Sequence, residues 1–310
     1  MKTVIFIGGT SFSGSTLLDM VLANDPHGFS CGEVHALFNP YRSHHIDPEC
    51  GCGDASCEIW KQVLRGGSQH IYQTIFDLFP QVNFIVDSSK NQFWIKDQIQ
   101  NLESTGISTK NVIIWKTPFE VAASFKKRNR LDDWERSWIN YHRLYFSVVG
   151  NFRSVKYQDF AKTKNATLEN LCNYLGIDYF ENKYQYWNDK QHTLFGNNSA
   201  KVHLYEKETQ SYNQARNFLE NNADPSGVNY KKNYREIYYT EIEDQDLTQH
   251  VNSRMKRNEK LPEIVNVLKN RDVSFSSDSM SKTLKSTARF HPWSVYFIRM
   301  KRALQRLLTF

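Results

Sequence analysis

Hydrophobic and polar positions in the first part of the chain follow a pattern in which short apolar runs alternate with helical periodicity. The apolar runs are rich in β-branched residues, and stretches with apolar residues three or four positions apart come after them. This alternation predicts an α/β fold in which helices flank a parallel sheet. The predicted strands are 2–7, 83–86, 111–115 and 152–157.

Two longer helices are predicted at 135–149 and 166–175, and Gly176 ends the second of them. Aromatic residues recur at helical spacing in and next to the first helix, which is typical of a core-facing stripe and also suits the lining of a ligand pocket. Because ligands of parallel sheets bind at the carboxyl ends of the strands, residues that follow each strand are candidate site residues. The recurring aromatic residues are Trp134, Trp138, Tyr141 and Tyr145.

Composition divides the 310 residues into three parts. We expect the sheet and its site to occupy residues 1–205. Residues 206–273 have few long apolar runs and many Asn, Tyr and charged residues, so we expect helices and loops added to the core. Residues 274–310 begin with a serine-rich linker and end in a predicted helix.

The net charge of +6 comes from the C-terminal part of the chain. Residues 279–310 hold seven basic residues and no acidic residue, and the rest of the chain has 32 basic against 33 acidic residues. A nearly neutral body argues against a nucleic-acid partner. The basic residues of the predicted helix at 288–310 lie opposite its apolar face, a pattern that fits docking on its own domain or contact with an anionic membrane.

The composition also bears on the location of the protein. With 40% hydrophobic and 23% charged residues, the chain is expected to be globular rather than disordered. It has no run of eighteen apolar residues, and its first apolar stretch is too short for a signal peptide. We therefore expect a cytoplasmic protein whose C-terminal helix allows peripheral contact with the inner face of the membrane.

The loop after the first predicted strand has the spacing of a phosphate-binding loop. Its sequence is Gly9-Thr-Ser-Phe-Ser-Gly14-Ser15-Thr16, and Ser15 occupies the position of the lysine that contacts the β- and γ-phosphates in nucleotide triphosphatases. Backbone N–H groups and hydroxyls remain, which suit a single phosphate or a phosphosulfate without a metal. A serine- and glycine-rich turn that only begins a helix is the alternative interpretation.

This loop resembles the 5′-phosphosulfate loop of sulfotransferases that use 3′-phosphoadenosine 5′-phosphosulfate (PAPS), in the branch of bacterial enzymes and Golgi-type carbohydrate and tyrosyl-protein sulfotransferases. The family loop reads Arg/Lys-Ser-Gly-Thr/Ser-Thr-Leu-Leu, and Phe12 stands here at its basic position. Another residue must therefore supply that cation. The resemblance implies that the 5′ side of PAPS binds at Ser11, Phe12, Ser13, Gly14, Ser15 and Thr16.

Further segments within residues 1–205 resemble the same family. In the family, a strand ends in Arg-Asp-Pro and a serine follows eight residues after the arginine; Lys116 and Ser124 fill these positions and by resemblance bind the 3′-phosphate. Lysine keeps the charge of arginine and loses its fork geometry. A later element, His192-Thr-Leu-Phe-Gly-Asn197 with Lys201, resembles one near the nucleotide and implies that Gly196, Asn197 and Lys201 contact it.

The resemblance also implies the catalytic residues. Glu33 lies in a Cys-Gly-Glu stretch like the one that holds the catalytic glutamate of tyrosyl-protein sulfotransferases, so it is the expected base, and His35 is the second candidate. A surface carboxylate is the alternative for Glu33. Lys90 matches the family lysine after the second strand and is expected at the bridging oxygen and the sulfonate, where it also compensates for Phe12. A solvated Lys90 in a helix start capped by Asp87 or Ser88 is its alternative.

The five cysteines indicate reduced thiols, since their number is odd and no signal peptide is predicted. Cys50, Cys52 and Cys57 form half of the usual pattern of a zinc site. Cys31, His44 or His45 would complete it. We favour a structural thiol cluster or a disulfide over zinc, and the expected reaction requires no metal.

Together these features predict a cytoplasmic PAPS-dependent sulfotransferase with a helical C-terminal elaboration. Its acceptor would be a hydroxyl group of a glycan, a lipid-linked compound or a small molecule, and the sequence does not choose among them. A P-loop kinase or nucleotide triphosphatase and a non-catalytic membrane-peripheral scaffold are the alternative functions.

Overall fold

A computed structural model describes residues 1–221, 234–237, 239 and 241–274. Within these residues, five strands form one parallel sheet in the order β2-β3-β1-β4-β5. Because β1 pairs with β3 on one side and β4 on the other, the loop after β1 lies between the ends of both neighbours. The strands are β1 (Thr3–Gly8), β2 (Gly28–Gly32), β3 (Phe84–Asp87), β4 (Ser108–Trp115) and β5 (Arg153–Lys156).

Helices connect the strands and cover both faces of the sheet. Alternate residues of β1 face opposite sides: Val4 and Phe6 belong to one hydrophobic cluster, and Ile5 and Ile7 belong to the other. The sheet is therefore a buried layer between two layers of helices, as the sequence predicted. The described helices are α1 (Ser15–Ala23), α2 (His35–Phe38), α3 (Ile59–Gly66), α4 (Ile71–Leu78), α5 (Gln92–Leu102), α6 (Pro118–Lys126), α7 (Trp134–Val148), α8 (Tyr157–Lys162), α9 (Lys164–Leu175), α10 (Asn198–Lys201), α11 (Gln210–Asn221), α12 (Gln245–Arg257) and α13 (Lys260–Asn270).

The four predicted strands and the two longer predicted helices are confirmed within a few residues. Gly176 ends α9 in the left-handed conformation, with φ 73° and ψ 36°. The edge strand β2 was missed, because its sequence Gly-Phe-Ser-Cys-Gly shows no apolar run. Ser30 in that strand is buried and donates a hydrogen bond to Asp19, a tertiary contact that sequence periodicity does not reveal.

Where the structure describes the region after residue 205, it consists of α11, α12 and α13 with turns and loops around them. Residues of α12 and α13, among them Val251 and Leu261, belong to the larger hydrophobic cluster of the core. The proposed domain boundaries stay a prediction. The predicted helix at 288–310 and nearly all of the linker lie outside the described residues. None of the described helices is both long enough and apolar enough to cross a membrane.

Candidate active site

The loop between β1 and α1 is the centre of the candidate site. It turns at Phe12 and Gly14, whose φ angles are 68° and 97°. Gly14 is required to be glycine, because in this backbone region a Cβ would lie 2.5 Å from the Tyr157 ring. Gly14 is also the N-cap of α1 and supplies no side-chain cap. The first N–H groups of α1 therefore suit binding of an anion.

Two buried hydroxyl oxygens in this loop, Thr10 Oγ1 and Ser13 Oγ, have no hydrogen-bond partner among the described residues. An unpaired buried hydroxyl costs about 1–3 kcal/mol, and both hydroxyls are available to donate to a ligand. Ser15 and Thr16 are buried at the start of α1, while Ser11 is exposed. This set of hydroxyl and N–H donors suits a phosphate or sulfonate oxygen.

Glu33 and Lys90 form an ion pair at the carboxyl edge of the sheet. Glu33 follows β2 and Lys90 follows β3, and these strands are neighbours, so the topology brings together side chains that are far apart in sequence. The two side chains are 20% and 19% exposed, which leaves the pair accessible to a substrate. Lys90 has a φ of 62°, which is uncommon for lysine and indicates a tightly constrained backbone.

The Tyr141 hydroxyl links the loop after β1 to the end of β3. The Gly9 N–H donates to Tyr141 Oη at 2.7 Å, and the Tyr141 hydroxyl donates to the Lys90 carbonyl at 2.9 Å. Burial raises the pKa of Tyr141, so the phenol stays protonated as this second bond requires. Tyr141 thus has a positioning contact that the aromatic pattern did not indicate. The other aromatic residues of this stripe, Trp134, Trp138 and Tyr145, are buried in the core.

His35, the second candidate base, begins α2 at the same edge of the sheet. Its backbone N–H donates to Ser89 Oγ at 3.0 Å, and its Nε2 lies 3.5 Å from Asn91 Nδ2. Its ring packs edge-on against Trp94, with 5.3 Å between the ring centroids. Both candidate bases are therefore in the site region, and Glu33 is the one that pairs with Lys90.

The expectation that Asp87 or Ser88 caps the helix after β3 was wrong, because Asn91 caps it. The Asn91 side chain accepts hydrogen bonds from two N–H groups in the first turn of α5. Asp87 is instead buried, where it holds the end of β3 against the core. Its carboxylate accepts hydrogen bonds from the Ser89 N–H, the Tyr72 hydroxyl and the Trp94 indole N–H.

Lys116 follows β4, and Ser124 lies on α6. A capping box formed by Thr117 and Glu120 starts α6 directly after the strand. Lys116 Nζ lies 4.4 Å from the centroid of the Tyr157 ring. Burial lowers the pKa of Lys116 to about 8, and the Glu120 carboxylate opposes this shift. The Ser124 hydroxyl donates to the Glu120 carbonyl at 2.9 Å, so it has to rotate before it donates to a ligand.

Arg128 is a candidate site residue that sequence reasoning missed. Its guanidinium carbon lies 3.7 Å from the centroid of the Phe12 ring, and Arg128 Nη1 donates to the Ser124 carbonyl at 2.6 Å. The Arg128 cation, just after α6, therefore lies beside Phe12. This is the position at which the sulfotransferase loop that this loop resembles has a basic residue. Phe12 was the available signal, because an aromatic face attracts a guanidinium group.

Residues 192–201 pack against both β2 and the loop. Leu194 pairs with the end of β2 as an isolated parallel bridge. The Asn197 N–H donates to Thr16 Oγ1 at 3.0 Å. Gly196 has a φ of 83°, and a Cβ there would lie 2.7 Å from the Thr16 side chain. The segment thus lies at the loop, and its contact with a nucleotide stays a prediction.

Basic side chains from different segments are distributed around the loop. Lys90 pairs with Glu33, and Lys116 and Arg128 come from the region around α6. Lys201 ends α10; burial lowers its pKa, while negative groups that include Glu33 oppose the shift. This charge distribution suits a ligand with two separate anionic groups.

Asp19 lies on α1 behind the loop and is fully buried. The Ser30 hydroxyl donates to its Oδ1 at 2.5 Å, and its Oδ2 has no hydrogen-bond partner among the described residues. Burial raises the pKa of Asp19 to about 7, and the bond from Ser30 opposes this shift. The Asp19 carboxyl group therefore titrates near neutral pH. Nothing in the sequence indicated this, because Asp19 lies within an ordinary helical pattern.

Cys50, Cys52 and Cys57 come together with a fourth side chain, that of His192. The three sulfur atoms and one ring nitrogen all lie within 4.8 Å of one another. All five cysteines are free in this structure, including the three for which sequence reasoning allowed a disulfide. The predicted thiol cluster is confirmed, with a histidine as an additional member.

The prediction that Cys31, His44 or His45 completes this cluster was wrong. Cys31 is buried in the main hydrophobic cluster instead. His44 and His45 pack against the Phe195 ring, at centroid distances of 6.3 and 4.7 Å. His192 was grouped in sequence with the nucleotide element, but its ring faces the thiols, with Nδ1 3.5 Å from Cys50 Sγ.

No family model and no curated protein matches this sequence. A sulfotransferase domain from the curacin biosynthetic pathway is similar in structure, at 18% identity and a TM-score of 0.48, over 83% of this chain and 98% of that domain. A sulfotransferase domain from the Synechococcus PCC 7002 olefin synthase is similar at 20% identity and a TM-score of 0.42, over 82% and 94% of the two chains. Similarity at these levels does not decide the activity, which has to be argued from the residues themselves.

Proposed function

We propose that the protein transfers the sulfuryl group of PAPS to an acceptor hydroxyl by in-line displacement. The observation that carries the proposal is the Glu33–Lys90 ion pair beside a phosphate-binding loop that has Ser15 in place of the catalytic lysine of nucleotide triphosphatases. A base and a cation at one anion-binding loop are the groups that sulfuryl transfer to a hydroxyl needs.

Two groups of residues would hold PAPS. Its 5′-phosphosulfate fits the N-terminus of α1 and the unpaired hydroxyls of Thr10 and Ser13. Its 3′-phosphate fits Lys116 and Ser124, with Arg128 between this element and the loop. Lys116 is half-buried, so water screens its charge less than at an open surface, whereas Arg128 is exposed and adds a second cation at the rim.

PAPS supplies the sulfuryl group when bound, and the protein supplies a base, a cation and alignment. Glu33 accepts the proton of the acceptor hydroxyl as the new S–O bond forms. Lys90 leaves Glu33 and donates to the bridging oxygen, whose bond to sulfur breaks. The products are the sulfate ester and adenosine 3′,5′-bisphosphate (PAP), and Glu33 carries the proton. This exchange of partner by Lys90 frees the base only when the nucleotide is present.

The kinase or triphosphatase alternative fits these residues less well. Because Ser15 stands in place of the lysine, the loop lacks the cation that would contact a γ-phosphate. Asp87 lies at the end of a strand next to β1, as an acidic magnesium ligand would, but three protein donors already bind its carboxylate. A magnesium-dependent triphosphate site would therefore have to break a buried network.

Calorimetry with PAP, PAPS and ATP tests the proposal. We expect PAP and PAPS to bind without magnesium and ATP to bind at least tenfold more weakly, since the loop lacks the γ-phosphate lysine. Magnesium-dependent binding of ATP that is tighter than binding of PAP would contradict it. Transfer of labelled sulfonate from PAPS to glycan, lipid-linked and phenolic hydroxyls then separates an enzyme from a non-catalytic scaffold, which would bind PAPS and label no acceptor.

A further inference from the structure

The thiol cluster of Cys50, Cys52, Cys57 and His192 takes no part in the proposed sulfuryl transfer. His192 Nδ1 lies 3.5 Å from Cys50 Sγ and 3.7 Å from Cys57 Sγ, and all four ligand atoms are within 4.8 Å of one another. Cys50 is buried, and the other three side chains are partly buried. The four atoms therefore enclose a small space that solvent reaches only in part.

The two shortest sulfur–nitrogen separations of the cluster match those of a tetrahedral zinc site. With Zn–S bonds of about 2.3 Å and Zn–N bonds of about 2.0 Å, tetrahedral angles place sulfur and nitrogen about 3.5 Å apart and two sulfurs about 3.8 Å apart. The two sulfur–nitrogen distances in the cluster are 3.5 and 3.7 Å. A disulfide would use only two of the thiols and gives no reason for the imidazole to face them.

The backbone holds the cluster in this arrangement. Gly51 packs so closely on the 193 backbone that a Cβ would lie 2.7 Å from the Thr193 carbonyl oxygen, to which the Gly51 N–H donates at 2.9 Å. Gly53 has a φ of 73°, which turns the loop back so that its N–H donates to the Cys50 carbonyl at 3.1 Å. The loop that carries the cysteines is thus fixed on the segment that carries His192.

The imidazole is also oriented by its surroundings. The Trp60 indole N–H donates to the His192 carbonyl at 2.8 Å. The His192 ring lies nearly parallel to that of Phe29, with an interplanar angle of 11° and 6.1 Å between centroids. These contacts direct Nδ1 toward the thiols, and metal ligands are commonly oriented by outer contacts in this way.

The geometry points to a structural Zn²⁺ site in which Cys50, Cys52, Cys57 and His192 are the four ligands. Three thiolates and one imidazole are a known structural set for zinc, and four protein ligands leave no open position for catalysis. The metal ties the 50–57 loop to the segment that continues to Asn197, whose N–H contacts Thr16. Zinc would therefore stabilise one wall of the candidate active site and take no part in its chemistry.

Metal analysis of the purified full-length protein tests this site. We expect about one zinc per chain, as a closed four-ligand site requires, with loss of the zinc in Cys52→Ser and in His192→Asn. The matched control is Cys172→Ala, which removes a buried cysteine outside the cluster and should keep the zinc. Wild-type protein without zinc, or both cluster variants retaining it, would overturn the assignment.

Three measurements on the wild type keep the test decisive if the variants do not fold. Replacing zinc with Co²⁺ should give the intense visible absorption of tetrahedral thiolate coordination, and a chelator should lower the melting temperature. Thiol titration in denaturant without reductant should find all five cysteines reactive. A count of three, which would reveal a disulfide, or a melting temperature unchanged by the chelator in protein that gives no Co²⁺ spectrum, would refute the site. None of these readouts depends on PAPS or on turnover.

Discussion

Replacing Lys90 with methionine removes the ammonium group and keeps most of the side-chain volume. The left-handed backbone at this position, with a φ of 62°, is equally uncommon for both residues. Glu33 loses its ion-pair partner but stays 20% exposed, so water solvates the free carboxylate. The variant therefore tests the charge of Lys90 more than the fold.

The expected loss of rate follows from the position of the charge. At hydrogen-bond distance, about 3 Å, with an effective dielectric constant of about 20 for a partly exposed site, two unit charges interact by roughly 5 kcal/mol. The bridging oxygen gains only part of a charge in the transition state, which leaves about 2–4 kcal/mol. We therefore expect kcat to fall by about 30-fold to 10³-fold.

The assay is transfer of labelled sulfonate from PAPS to the best acceptor hydroxyl of the panel, with PAP affinity measured in parallel. PAP lacks the sulfonate, so its Kd should change much less than kcat. Lys96→Met removes a lysine six residues further along the chain, on α5, and should leave both quantities unchanged. Turnover of Lys90→Met within about threefold of wild type would remove Lys90 from the mechanism, because the charge would then contribute under about 1 kcal/mol.

Three further changes test the surroundings of this pair. Arg128→Ala should raise the Kd for PAP by about tenfold through the lost cation, whereas the Lys127→Ala control should not, as calorimetry will show. Because the pKa of Lys116 is lowered to about 8, the Kd for PAP should rise above pH 8 by up to about tenfold per pH unit, and Lys116→Met should abolish this slope. The raised pKa of Asp19, about 7 against 3.8, stabilises the fold below about pH 4, and this stabilisation is lost as the pH rises through 7. In urea unfolding, the free energy of unfolding of Asp19→Asn should therefore change with pH by up to about 4 kcal/mol less than that of the wild type. An equal change in both proteins would contradict the raised pKa of Asp19.

The sequence predicted the central strands of the sheet and missed the edge strand β2 for the same physical reason. β1 and β4 are buried on both faces and have continuous apolar runs that periodicity detects. β2 contains Ser30, whose hydroxyl is satisfied only by the buried Asp19 of α1. A strand that depends on a tertiary hydrogen bond has no local pattern to predict it.

The candidate site shows the same division. Glu33 follows β2, which the apolar pattern missed, so only the resemblance of its Cys-Gly-Glu stretch indicated it. Lys90 was predictable, because it follows the predicted strand β3 and parallel topology collects strand ends at one edge. His192 and Arg128 were not, since each joins its partners through loops whose paths the sequence does not specify. Two incomplete patterns indicated that partners were missing. Phe12 stood where a basic residue was expected, and Cys50, Cys52 and Cys57 formed only half of a zinc-site pattern.

The exchange of a basic loop residue for Phe12 changes how the two halves of the candidate site depend on each other. A cation within the loop would act on the 5′ side alone. Arg128 instead lies on the Phe12 ring while it holds the Ser124 carbonyl at 2.6 Å, so its position depends on the end of α6. Filling the 3′ side should therefore order the cation that serves the 5′ side, and binding of the two ends of one nucleotide should be coupled. A ligand with only one phosphate would then bind more weakly than its share of the contacts suggests.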